Sequence, residues 1–388
     1  MPELLPSAPW TQREDLAELV AALGDGNARY VGGAVRDTLL GLEANDIDIA
    51  TPLEPVEVIA RLDAAGIRSV PTGLRHGTIT AIREGGNVEI TTLRRDVSTD
   101  GRHADVAFSH DWKEDAARRD FTINALYADP ETLEVFDWFG GRDDLRDKRV
   151  RFIGDARQRI REDHLRILRY FRFQARFGSQ PPDRQAEDAC SELASTLKGL
   201  SRERIGWELQ NLLALPDPAP TVARMAEMGV LGAILPEAEP QALARLIAAE
   251  TREGIEPDAI RRLAALLPPD VATAEQVAAR LRLSIAQKKR LMLAAKRDGS
   301  GADPRALAYR IGHEATTDRL LLGGQDTAPL RGWEAPVFPL KGGAIVARGV
   351  AAGPEVARIL RAVEADWIDE GFPDEDRVFQ LLERLLSQ

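Results

Sequence analysis

Two aspartates one residue apart, Asp46 and Asp48, are the side chains in this sequence best placed to do chemistry, and Val31-Gly32-Gly33-Ala34-Val35-Arg36-Asp37 stands just ahead of them. Side chains alternate across a strand, so Asp46-Ile47-Asp48-Ile49 puts both carboxylates on one face and both isoleucines on the other. Carboxylates held side by side repel unless a cation sits between them, and hard oxygen ligands favour Mg²⁺ carried on nucleotide phosphates. A lone pair of aspartates at this spacing is more often a solvated strand end. The glycine turn lifts this pair above that, because nine residues allow one helix and a return strand that bring the pair beside it. Arg29 to Val31 reads as a short strand, Gly32-Gly33 as a tight turn, and Ala34 to Leu40 as a helix stopped by Gly41. That order aims backbone N–H groups and a positive helix end at an anion. Arg36 adds a forked cation suited to phosphate oxygens.

Two later clusters carry further candidates. In Asp115-Ala-Ala-Arg118-Arg119-Asp120-Phe121-Thr122-Ile123-Asn124 the ordinary reading is a capped helix start with a solvated basic face. The functional reading sets an arginine, Arg118 foremost, on a triphosphate or ribose, with Asp120 and Asn124 orienting it from behind. In Glu162-Asp163-His164-Leu165-Arg166-Ile167-Leu168-Arg169-Tyr170-Phe171-Arg172 the apolar spacing predicts one helix whose Leu165, Leu168 and Phe171 face a core. Asp163 and Arg166 then share a face. Most such pairs are surface ion pairs. Base chemistry gives a sharper reading. Cytosine and adenine each present an exocyclic amine beside a ring-nitrogen acceptor. A carboxylate accepting from the amine and a guanidinium donating to the ring nitrogen select C and A together, whereas a carbonyl in place of the amine leaves Asp163 unpaired. Arg169 and Arg172 extend the basic stripe toward phosphate.

Composition narrows the class. At 388 residues, 44% hydrophobic and 29% charged, the chain is expected to form more than one globular domain. No apolar run approaches the roughly 20 residues that span a bilayer, and the first residues lack an export signal, so cytoplasmic residence is the default expectation. One cysteine, Cys190, and five scattered histidines exclude a disulfide framework and a Cys/His zinc cluster, so any metal is held by oxygen. The net charge of −11 argues against non-specific coating of nucleic acid. Yet Arg142 to Arg176 holds twelve Arg/Lys against six Asp/Glu, a net +6 inside an acidic protein.

Short β-rich runs alternate with a helix near Pro55 to Ala65 as far as about Phe136; from Asp155 onward the periodicity is helical, broken by Pro/Gly punctuation. The fold class expected is α+β, a small mixed α/β head followed by an elongated all-α remainder.

The motifs in order, Gly-Gly-Ala-Val-Arg-Asp, Asp-x-Asp, Arg-Arg-Asp-Phe-Thr-x-Asn-Ala, Glu-Asp-x-x-Arg-x-x-Arg and Ser201-Arg-Glu203-Arg204-Ile205-Gly-Trp-Glu208-Leu209, closely resemble class II tRNA nucleotidyltransferases. These CCA-adding enzymes share a superfamily with bacterial poly(A) polymerases, and the match runs from about Tyr30 to Leu213. The resemblance implies a catalytic head over 1–150, a base-selecting neck over 151–215, a body over 216–300 and a tRNA-binding tail over 301–388. It implies metal binding and catalysis at Asp46 and Asp48 with Mg²⁺ as cofactor. Nucleotide contacts are implied at Gly32, Gly33, Arg36, Arg118, Asp120 and Asn124, and base selection at Asp163 and Arg166, with Arg169 and Arg172 nearby. The activity implied is template-independent addition of CCA to tRNA 3′ ends from CTP and ATP with release of pyrophosphate, by a monomer or homodimer without a membrane.

Local features refine this. Arg94 to His103 resembles the flexible loop that full CCA-adding enzymes use to switch from C to A. Pro71-Thr72-Gly73-Leu74-Arg75-His76-Gly77 differs from the signature of bacterial poly(A) polymerases, the alternative activity together with A-only addition. A catalytically silent RNA-binding scaffold is disfavoured because both aspartates are kept. In the tail, Lys341-Gly342-Gly343 and Gly349-x-x-x-Gly353 suit phosphate contacts or helix caps, and the family pattern has an aspartate where Ala344 stands.

Overall fold

The computed structural model describes residues 3–44, 46–99, 104–297 and 303–387, and the chain divides into two compact units, Met1–Pro236 and Glu237–Gln388.

The first unit opens with the sheet. Strands β1 (Arg29–Val31), β2 (Ile47–Thr51), β3 (Ser69–Gly73), β4 (Thr78–Ala81), β5 (Val88–Thr92), β8 (Leu126–Ala128) and β9 (Val135–Asp137) form it in the order β3-β4-β5-β2-β1-β8-β9. The central strand β2 runs antiparallel to β1 and parallel to β5. The predicted alternation holds: Ile47 and Ile49 are buried, while Asp48 is half-buried on the opposite face. Strands β6 (Arg94–Thr99) and β7 (Ala104–Phe108) form a separate two-stranded ribbon. The expected loop over Arg94 to His103 is therefore a strand as far as Thr99. Its remainder, Asp100 to His103, lies outside the described residues.

Short helices brace this sheet. They are α1 (Glu14–Leu23), α2 (Gly33–Leu39), α3 (Pro55–Ala64), α4 (Trp112–Ala117) and α5 (Gly141–Arg146). Gly32 links β1 to α2 with φ 71° and ψ −120°, a conformation open to glycine and closed to side-chain-bearing residues. The turn is glycine for that reason. Beyond the sheet the unit is helical: α6 (Ala156–Glu162), α7 (Arg166–Phe177), α8 (Arg184–Glu192), α9 (Arg202–Leu213), α10 (Ala219–Glu227) and α11 (Val230–Ile234). Helix α7 buries Ile167, Leu168, Tyr170, Phe171 and Phe173, and Phe121 of the sheet region packs on Tyr170 and Phe173. That aromatic contact fixes α7 against the sheet and aligns the arginines of α7 with the carboxylate face.

The second unit contains α12 (Pro240–Glu253), α13 (Ala259–Leu266), α14 (Val271–Arg280), α15 (Ile285–Ala295), α16 (Pro304–Ile311), α17 (His313–Leu322), α18 (Gly342–Val346), α19 (Pro354–Asp369) and α20 (Glu375–Leu386). One of its cores gathers Ile359, Val363, Trp367, Val378 and Leu381 from α19 and α20. Among the described residues, no helix is long and apolar enough to cross a membrane.

Candidate active site

A cleft of about 320 Å³ in the first unit is lined by Asp48 and Glu89 from the sheet, Arg118 and Asp120 from the segment after α4, and Asp163, Arg166 and Arg169 from the helical side. Sequence distances of more than a hundred residues are closed there by the packing of α7 on the sheet.

In the middle of the sheet, parallel pairing of β2 with β5 sets Asp48 directly beside Glu89. Burial, with Glu89 close by, pushes the Asp48 carboxyl up to about 6, Asp46 adding to the effect and Arg119 opposing it. Neither Asp48 nor Glu89 has an ion-pair partner among the described residues. Asp46 is exposed, one residue ahead of β2, and is not part of the cleft lining. Among the described residues no three ligating side chains converge as a ready metal site. The donor set nevertheless suits a hard divalent cation, because crowded carboxylate oxygens without a direct ion pair are what Mg²⁺ stabilises.

The basic segment after α4 is anchored from below. Asp115, almost fully buried, accepts from Arg118 Nε at 2.9 Å, Arg119 Nη2 at 3.3 Å and the Tyr127 hydroxyl at 2.6 Å. Burial favours its protonation, but the two arginine charges and the tyrosine bond outweigh this and hold it well below the usual carboxylate range. The arginines are thereby aimed at the cleft. Asp120 and Asn124 do orient arginines, though not Arg118. Asp120 Oδ2 accepts from Arg169 Nε at 2.7 Å, and its other oxygen accepts from Asn124 Nδ2 at 3.1 Å. Burial would raise Asp120; Arg169 and Asn124 overcome it and leave the carboxyl at about 2.

Arg36 is buried and turns away from the cleft. Its guanidinium donates to Asp37 at 2.8 Å and to Asn124 Oδ1 at 2.5 Å, and it lies 4.3 Å from the Phe177 ring centroid. It ties the glycine turn to the Asn124 segment. Gly32, Gly33, Asn124 and Arg172 likewise do not line the cleft. Arg172 donates to Glu208 at 2.6 Å.

The base-reading pair differs from the sequence expectation in one respect. No single helix runs through Asp163: α6 ends at Glu162, Asp163 is extended with φ −149° and ψ 105°, and α7 begins at Arg166. The aspartate's Oδ1 accepts the Leu165 N–H at 3.1 Å, a local bond that competes with helix continuation. Arg166 bonds Glu162 at 2.6 Å and the Arg118 carbonyl at 3.2 Å, while Asp163 receives Arg204 of α9 at 2.6 Å. The two side chains do not bond to each other, although the Arg166 N–H donates to the Asp163 carbonyl at 3.0 Å, and both residues line the cleft.

Three contributors escaped sequence reading. Glu89 stood in an ordinary Val-Glu-Ile alternation, and only strand register sets it beside Asp48. Arg204 and Glu208 stood in a recognised motif without an assigned role; the apolar spacing of Ile205, Leu209 and Leu212 around Glu208 was the available sign of a buried acid.

Comparison with known proteins decides the family. The Poly A polymerase head domain matches residues 28–151, and the probable RNA and SrmB-binding site of polymerase A matches residues 182–241. The human protein named CCA tRNA nucleotidyltransferase 1, mitochondrial, is 36% identical over 367 residues, 89% of this chain and 83% of its own length. This chain belongs to the CCA tRNA nucleotidyltransferases. The CCA-adding enzyme of Geobacillus stearothermophilus is 39% identical over 54% of this chain and 51% of its own. The crystal structure of the Bacillus stearothermophilus CCA-adding enzyme in complex with CTP superposes with a TM-score of 0.78 at 26% identity, covering 98% of this chain and 99% of that one. The CCA-adding fold, an α/β head followed by helices, is therefore the fold found here.

Proposed function

We propose that the cleft in the first unit joins C, C and A in turn to the 3′ end of tRNA, using CTP and ATP without a nucleic acid template and releasing pyrophosphate. The observation that carries this is the meeting, in one cleft of a family member, of unpaired carboxylates, anchored arginines and a donor–acceptor pair suited to C and A. Asp46 and Asp48 would hold Mg²⁺, with Glu89 adjacent. When bound, the metal lowers the pKa of the attacking hydroxyl and neutralises charge on the leaving group.

The chain's own residues do the rest. Arg118 and Arg119, fixed by Asp115, meet the triphosphate. The glycine turn admits close approach of the backbone, and Arg36 with Asn124 keeps that turn in place. Asp163 accepts from the exocyclic amine of C or A, and Arg166 donates to the ring nitrogen beside it. Asp120 holds Arg169 so that the cleft keeps its width. The division into head (1–150), neck (151–215), body (216–300) and tail (301–388), with RNA contacts in the tail, belongs to this proposal. So does cytoplasmic residence, although the human relative is named as mitochondrial.

The test is extension of tRNA lacking its 3′ CCA by purified protein with Mg²⁺, given CTP alone, ATP alone and both, and repeated with EDTA. A stop at two additions with CTP and at three with both, lost on chelation, is the expected result. Long A tracts from ATP would instead make the enzyme a poly(A) polymerase.

A further inference from the structure

Of the six tryptophans, Trp207 is the one that is mostly exposed, with 57% of its surface in water. A solvated indole on a folded helix contributes little to folding, since burial is where a large aromatic stabilises. Its surroundings are polar and built. Arg172 lies 5.6 Å from the ring centroid and is itself fixed by the almost fully buried Glu208. One turn earlier on α9, Arg204 reaches Asp163 at the cleft wall. The indole N–H has no hydrogen-bond partner among the described residues. Trp207 is thus an aromatic face with Arg172 beside it and Arg204 one turn away on α9, next to the cleft but not in its lining.

We infer that Trp207 is the stacking platform for the unpaired 3′-terminal base of the RNA acceptor, an inference that rests on the proposed CCA-adding reaction. The choice between the two substrates follows from placement and chemistry. The incoming nucleotide is read on its base edge inside the cleft by Asp163 and Arg166, and Trp207 lies outside that set. The RNA terminus is a different base at successive additions, so hydrogen-bond recognition of one base would reject the next. Stacking accepts any base, because each has a π-face, and the nearby arginines suit the adjacent phosphates. An aromatic side chain beside a cation is the pairing used for single-stranded nucleic acid.

The experiment compares the full-length wild type with Trp207→Ala, Trp207→Leu and Trp207→Phe in single-nucleotide addition to tRNAs ending before, within and one short of CCA. In the Ala and Leu variants KM for tRNA rises about five- to 150-fold at all three steps, the equivalent of the about 1–3 kcal/mol that a base–aromatic stack supplies. KM for CTP at saturating tRNA and the preference for CTP over UTP stay at wild-type values, and Phe restores most of the tRNA affinity. A Leu variant with wild-type KM for tRNA would show that the site needs only apolar bulk and would overturn the inference. A changed CTP preference would overturn it too, by placing Trp207 in the base reader. Thermal melting of each variant separates lost folding from lost binding. If the wild type itself fails to stop at CCA, the proposed reaction fails before any variant is compared.

Discussion

The two units each contain a cavity lined with charge, and the larger one is chemically the quieter. In the second unit a cavity of about 650 Å³ is lined by residues that include five carboxylates: Glu253, Glu256, Asp258, Glu314 and Asp318. Four of the five are ion-paired. Arg290 alone bonds both oxygens of Asp318, at 2.7 and 3.0 Å, and reaches Asp258 at 2.9 Å and Glu314 at 2.7 Å. Glu253 pairs with Arg252 and Arg331, each at 3.2 Å. In the first unit a cleft of half that volume keeps Asp48 and Glu89 side by side with no ion pair to either among the described residues, Arg119 acting on Asp48 only through its charge. Size does not locate the chemistry here. A site able to act on a ligand keeps charge that the protein itself has not neutralised, whereas paired charge holds helices together.

Substitutions in the two cavities sharpen that contrast. The largest effect is expected from Asp48→Ala, which should cut nucleotide transfer by a factor on the order of 10³ or more while leaving thermal stability at or above the wild-type level, since a crowded, desolvated acid is removed. Initial rates of C addition alongside thermal melts check this, and residual transfer within about tenfold of wild type would take Asp48 out of the site.

Asp318→Ala should do the reverse. Removing it takes away the bidentate partner of Arg290 and one of the two acids beside Arg261, while Asp258, Glu314 and Glu250 remain as partners, so the expected loss is about 1–3 kcal/mol of stability, with turnover per folded molecule at low temperature unchanged. A denaturant titration together with active-site-normalised rates reads both quantities.

Asp120 lies between these cases, inside the cleft yet paired. Its folded carboxyl, at about 2, lies below the ordinary 3.8. Its contribution of about 2 kcal/mol is therefore fully present above pH 4 and is lost as pH falls through about 2. Acid unfolding followed by circular dichroism should show a shallower low-pH limb for Asp120→Asn than for wild type; superimposable limbs would contradict the assignment.

The smallest change is expected from Asp163→Ala, which should relax discrimination of CTP over UTP by about tenfold or more with little loss of stability, its pairing with Arg204 being partly exposed. Undiminished discrimination would point to another base reader.

Much of the catalytic face was legible in sequence because it is built from local rules. Alternation fixed which side Asp48 takes, and the Gly32 conformation permits only glycine. What escaped was long-range. The break at Asp163 carries no glycine or proline; its one sign in sequence is the five-residue step from Ile160 to Leu165, longer than a helical turn, and a side-chain bond to the Leu165 N–H accompanies it. Arg36 was read toward phosphate because the glycine turn lies three residues before it; its guanidinium instead meets Asp37, next in sequence, and the distant Asn124 and Phe177. Glu208 meets Arg172 across 36 residues, a pairing that depends on how α9 lies on α7.

One chain of bonds joins the two walls of the cleft. Asp120, from the sheet side, holds Arg169 of α7; Arg169 also lies 3.6 Å from Glu208 of α9, which in turn holds Arg172. The Asp120–Arg169 pair crosses from the sheet side to α7, so the walls cannot part without breaking it, and Glu208 braces Arg169 and Arg172 from α9. The cleft therefore works as a fixed gauge, setting one distance between phosphate and base whichever of its two nucleotides occupies it.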